Sequence, residues 1–153
     1  MKTNSHLVKG LDPVADAFAG TKYTDIISMK NHNLAQFVIY KGVGTTGTST
    51  ITVEACDDIS ASNTTAVTFR YQAITSGDTH GALTAATTAG FTTTAGSSQL
   101  YKIVVENQAL ASTGYEYVRL KMVEVADDPV LGGVLVELLE PKYDISVQES
   151  AID

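Results

Sequence analysis

Leu34-Ala-Gln-Phe-Val-Ile-Tyr-Lys41, Gly42-Val-Gly-Thr-Thr-Gly47 and Ser49-Thr-Ile-Thr-Val-Glu-Ala-Cys56 decide how this chain is read. The first run is rich in β-branched and aromatic residues, which suit a pleated, half-buried surface. The second holds three glycines in six residues and interrupts any regular element. The third alternates strictly, with Ile51, Val53 and Ala55 on one side and Thr50, Thr52, Glu54 and Cys56 on the other. Period-2 alternation beside a Gly-rich connection predicts a β-hairpin with one buried face. Cys56-Asp-Asp58 then closes the strand with turn-forming residues.

The same grammar repeats outward. Residues 25–30 predict a first strand, and Asn31-His-Asn33 a turn. Residues 65–74, 99–106, 115–125 and 133–140 predict further strands. Val67, Phe69 and Tyr71 share one face of the first of these, and Val118, Leu120 and Met122 form the core face of the third. Residues 82–98 are nearly all Thr, Ala, Gly and Ser. They predict a long excursion with a short edge strand around Phe91, its one large anchor. A helical turn after Asn107 would hold Leu110.

Strands without intervening helices predict an all-β fold. The expected class is an antiparallel β-sandwich, jelly-roll-like, or a barrel, of about seven or eight strands. Residues 1–24 read as an extended N-terminal arm, 25–141 as the β-domain and 142–153 as a polar tail with Tyr143, Ile145 and Val147 as anchors. In the arm, Gly10, Pro13 and Gly20 punctuate the apolar positions. Asp12 as N-cap and Pro13 at the first helical position predict a short helix there.

At 153 residues the chain is long enough for one domain that buries roughly two-thirds of its unfolded surface. Its net charge of −7 and scattered basic residues argue against nucleic acid, whose phosphates need clustered Lys and Arg. The single Cys56 excludes an internal disulfide and a cysteine-based metal site. No stretch approaches the about 20 apolar residues of a spanning helix, and the N-terminus lacks the apolar core of a signal peptide. A soluble protein made in a cytoplasm is expected, with no membrane partner.

Catalytic chemistry finds little purchase. Asp57-Asp58, Asp127-Asp128 and Asp78 near His80 all fall in predicted turns, where Asp caps local backbone. The two aspartate pairs would hold Ca²⁺ if their loops met, but neither matches a dense oxygen-ligand motif. His6, His32 and His80 lack ligand spacing and read as exposed loop residues. Gly42, Gly44 and Gly47 fit a dinucleotide fingerprint, but they open a strand rather than a helix. No enzyme activity and no cofactor are expected. The arm and the Thr-rich loops suit assembly instead, with Leu7, Val8, Leu11, Val14 and Phe18 as candidate partner contacts.

Val8-Lys-Gly-Leu-Asp-Pro-Val-Ala-Asp-Ala-Phe18, the run from Phe37 to Asp58, Ser112-Thr-Gly-Tyr-Glu-Tyr-Val-Arg-Leu-Lys121 and Pro129-Val-Leu-Gly-Gly-Val134 resemble small structural proteins of tailed bacteriophages. The role this resemblance implies is head decoration, or cement. Such a protein is an oligomeric β-domain on the outer capsid surface of the virion, bound to the major capsid protein. A homotrimer is expected, because capsid lattices offer three-fold positions. The competing reading is a carbohydrate-binding β-sandwich accessory module of the virion, with Tyr101, Tyr115 and Tyr117 as the sugar platform.

Overall fold

The computed structural model describes residues 5–143 and 150–152. In chain order its elements are β1 (His6–Val14), β2 (Thr21–Tyr23), β3 (Ile27–Ser28), β4 (His32–Lys41), β5 (Thr48–Cys56), β6 (Thr64–Val67), β7 (Phe69–Ile74), β8 (Thr84–Ala86), β9 (Phe91–Thr92), β10 (Gln99–Glu106), α1 (Asn107–Leu110), β11 (Tyr117–Ala126) and β12 (Gly132–Pro141). One sheet runs β1-β12-β4-β10-β7-β8, and the second runs β2-β11-β5-β6 with β3 on β11 and β9 on β5. Every pairing is antiparallel. The all-β sandwich expected from the sequence is therefore present, and its open edges rule out the closed barrel.

The core lies between the sheets. The first contributes Phe37, Ile39, Tyr101, Ile103, Val134 and Val136; the second contributes Ile51, Val53, Val118, Leu120 and Met122, all buried. Fully burying one such side chain contributes about 1.5–3 kcal/mol. The core faces assigned to residues 49–56 and 115–125 are the faces observed. Phe91 anchors the long excursion by stacking on Tyr71 at 3.9 Å, and Leu110 is buried beneath α1.

The predicted hairpin is not a hairpin. β4 pairs with β10 and β12 in the first sheet, and β5 pairs with β11, β6 and β9 in the second. The Gly-rich run is an arch that carries the chain across the core. Alternation cannot separate the two outcomes, since both strands turn one face inward either way. Gly47 is required by close approach: a Cβ there would lie 2.2 Å from the Asp128 carbonyl oxygen. The predicted strand over 65–74 likewise breaks at Thr68, so that β6 and β7 join opposite sheets.

The extended arm is also corrected. His6–Val14 is a strand paired with β12 along its length. Its alternation is masked in the sequence because Gly10 occupies an inward position. A Cβ on Gly10 would meet Val136 Cγ2 at 2.9 Å, so the core admits no side chain there. The short helix expected from Asp12 does not form. Register shifts fall between Lys9 and Leu11 and between Leu11 and Val14, and Pro13 sits in the second. Bulges and an edge position are where a sheet tolerates proline. The first strand predicted over 25–30 shrinks to β3, two residues long. Ala151 and Ile152 pack against the core, and Ser28 N donates to Ala151 O at 2.9 Å. Tyr143 is exposed, and Ile145 and Val147 lie outside the described residues.

Candidate docking surface

The outer face of the first sheet is the most distinctive surface of the molecule. Strand register places its side chains in rows. One row is Lys9, Leu135, Val38 and Lys102, on β1, β12, β4 and β10. The next toward the arch runs from Gly133 to Tyr40 and Leu100, with Leu11, registered on Val134, beside it. Between them lies a groove of about 520 Å³, walled by Leu11, Val38, Tyr40, Leu100, Leu131 and Leu135. Its lining is almost wholly apolar. Tyr40 is 58% exposed, Leu135 50% and Leu131 45%.

The groove exists because of what the sequence withholds. Gly133, paired with Tyr40, places no side chain on the floor. A Cβ there would meet the Leu11 carbonyl oxygen at 3.1 Å. The wall at Leu131 is fixed by the arch: Gly42 N donates to Leu131 O at 2.7 Å, and Leu131 N to Val43 O at 2.9 Å.

Two ionic side chains hold that arch. Lys41, the last inward residue of β4, is 1% exposed, and its Nζ donates to Gly47 O at 2.8 Å and Thr94 O at 2.6 Å. Burial pushes its ammonium below the ordinary lysine value, and Asp128 partly opposes this. Asp128 Oδ2 accepts from Thr46 N at 2.8 Å, Thr45 Oγ1 at 2.7 Å and Thr45 N at 3.1 Å. Those donors, Thr46 N foremost, hold its carboxyl far below the ordinary range. Asp128 is thus a loop clamp.

The contacts assigned to the arm divide. Leu7 is 66% exposed and Val14 38%, while Leu11 lines the groove. Val8 and Phe18 are corrected: both are buried in the chain's own core and are closed to a partner. The sequence offered no way to separate them without knowing that the segment is a strand. It also did not single out Tyr40, Leu131 or Leu135. Once the register of β12 on β4 is known, these residues follow from alternation alone.

The aspartate pairs lie at opposite ends of β5, so their loops do not meet. Asp58 receives Ser60 N and Ser62 N, and Asp57 receives Asn63 N and Asn63 Nδ2. These bonds, from Ser62 and Asn63 respectively, lower both carboxyl pKa values and mark them as loop caps. Among the described residues no three of His, Cys, Asp or Glu converge on a metal-sized site. Asp78 and His80 are exposed. His6 and His32, expected to be loop residues, begin β1 and β4 and approach to 6.3 Å between ring centroids. His32 is buried, and its imidazole is pushed below 6.5, first by burial and then by His6 and Lys142. Burial raises the Cys56 thiol to about 11. The tyrosine platform does not form. Tyr101 is buried in the first sheet with its hydroxyl on Gln99, whereas Tyr117 lies on the second sheet.

No family model and no curated protein matches the chain. The crystal structure of the SPBc2 prophage-derived protein YomS is similar to this fold with a TM-score of 0.45 and 14% identity, over 89% of this chain and 97% of that one.

Proposed function

We propose that this chain is a non-enzymatic structural protein of a tailed-phage particle, of the head-decoration type, that docks on the assembled major capsid protein and stabilises the shell. The observation that carries the reading is the apolar outer face of the first sheet. A contiguous exposed apolar surface on a soluble domain marks a site of association. The phage-like stretches named above supply the partner. The sheet edges suit face docking better than strand addition. β1 carries Pro13 and two register shifts, and β8 has three residues.

The homotrimer and the outer capsid surface belong to the same proposal. A stable lattice contact shared among subunits would bury on the order of 2,000 Å². Residues 5–20 do not form a detachable arm in this reading, because Val8, Ala17 and Phe18 complete the core. The test is co-sedimentation with capsid shells assembled without the protein, paired with light scattering. A trimer that pellets with the shells supports the reading. Protein that stays in the supernatant at saturating concentration sinks it.

A further inference from the structure

We propose that the groove receives an apolar side chain of a protein partner flanked by carboxylates, and that Lys9 and Lys102 recognise those carboxylates. This rests on the docking reading above and names the chemistry of what docks.

The lining selects against most ligands. A sugar, a nucleotide or a bare peptide backbone brings donors and acceptors that would leave water without finding a partner here. Each such unpaired group opposes binding. An aliphatic or aromatic side chain loses nothing of this kind. The volume of about 520 Å³ is within the ordinary range for a binding site. The Tyr40 ring forms one wall, as rigid aromatics do where interfaces concentrate their energy.

The charge at the rim selects further. The chain carries −7 overall, yet the row bordering the groove is an ammonium, two apolar residues and an ammonium: Lys9, Leu135 and Val38, which line it, and Lys102, which follows Val38 by register. Asp12 is the carboxylate at the rim, and it lies 3.3 Å from Lys9 Nζ with both side chains 71% exposed. An ion pair that exposed is weak, so a partner carboxylate displaces it at little cost. In the next row of the same face, on the side away from the groove, Glu137 is engaged by Gln36, whose Nε2 donates to it at 3.4 Å. Charges arranged this way act mainly on specificity and association rate, while the apolar contact supplies the affinity.

The test uses the full chain and two capped peptides, acetyl-Glu-Leu-Phe-Leu-Glu-amide and acetyl-Lys-Leu-Phe-Leu-Lys-amide. Binding is followed by amide NMR. The acidic peptide is expected to shift Val38, Tyr40 and Leu135 and to bind at least tenfold tighter than the basic one. The double variant Lys9→Glu/Lys102→Glu should invert that order. Leu135→Asp should abolish binding of both while leaving the thermal midpoint unchanged. Equal affinity for the two peptides, or shifts confined to other surfaces, would overturn the proposal. So would a fall in solution mass on Leu135→Asp, which would make the groove a contact between copies of this chain. Shell co-sedimentation separates this from the parent reading. If the double lysine variant pellets as well as wild type, docking stands and carboxylate recognition fails. If the acidic peptide binds as expected but wild type does not pellet, the groove chemistry stands and the decoration role fails.

Discussion

The two sheets present opposite kinds of outer face. The second sheet covers the middle of its outer face with an ionic and hydroxyl network, leaving Val123 and Val125 exposed toward the end of β11. Glu54 accepts from Arg119 Nε at 3.0 Å and Nη2 at 2.8 Å, and Lys121 Nζ lies 3.5 Å from its other oxygen. The Arg119 guanidinium stacks on Tyr23 at 4.1 Å, and the Thr50 and Thr92 hydroxyls are 2.9 Å apart. The outer face of the first sheet leaves Leu135, Tyr40 and Leu131 about half exposed around a groove with almost no polar lining. Both faces come from equally regular alternation. One spends its outward residues on stability, and the other holds apolar surface out of the core at a cost to the isolated chain. That contrast is what the docking proposal rests on.

The largest effect should come where the two sheets are joined. Lys41→Ala would leave the Gly47 and Thr94 carbonyls without their ammonium and open a void beneath the arch. The expected loss is about 2–5 kcal/mol, read from urea unfolding. If the faces belong to one cooperative unit, probes on both sheets will report a single shifted transition. Separate transitions would show that the contrast reflects two independently stable layers.

The contrast itself is tested by a crossed pair of variants. Glu54→Gln strips the charge that holds Arg119, whose side chain is 16% exposed, and should cost about 1–3 kcal/mol while leaving shell docking intact. Leu135→Asp lies on open surface and should change stability by about 0.5 kcal/mol or less, yet abolish docking. If Leu135→Asp destabilises as much as Glu54→Gln, the groove is a structural feature and the comparison collapses.

How far the sequence reached follows the same division. Alternation placed β5, β10, β11 and β12, and it gave the inward faces of β5 and β11, where apolar and polar residues alternate. It missed β1, because Gly10 fills an inward position where Val136 leaves no room. It misjudged the arch, since pairing partners are set by long-range register that no local pattern encodes. Lys41 is only the last residue of the first predicted run, and the closure of the arch makes it internal. The groove was partly legible. Leu11 was named as a contact, but its companions Tyr40, Leu131 and Leu135 come together through β12 on β4. The histidine pair was invisible for the same reason, since His6 and His32 meet only across the end of β12.

That pair gives a smaller, pH-dependent effect confined to one end of the first sheet. His32 has a folded pKa below its unfolded value of 6.5. The unfolded chain therefore binds the proton more readily, and stability falls as the pH drops through 6.5 toward the lowered folded value. Above 6.5 the contribution is fully present. His32→Gln should flatten this part of the profile in thermal unfolding between pH 5 and pH 8. Persistence of the slope in His32→Gln would assign it to another group.

The smallest effect sharpens the comparison most. Cys56 ends β5 and is fully buried, two residues beyond Glu54 along the strand. With its thiol raised to about 11, chiefly by burial, little thiolate forms near neutral pH, and a thiol reagent must wait for the strand to open. Labelling with a disulfide reagent at pH 7.5 should therefore be far slower than for the denatured chain. It then serves as a clock for opening of the second sheet. Glu54→Gln should speed that clock several-fold by loosening β5 against β11. Leu135→Asp, on the opposite face, should leave it unchanged. If Leu135→Asp accelerates labelling equally, the outer face of the first sheet is coupled to the stability of the second. Its apolar residues would then have to be explained by folding before they are explained by docking.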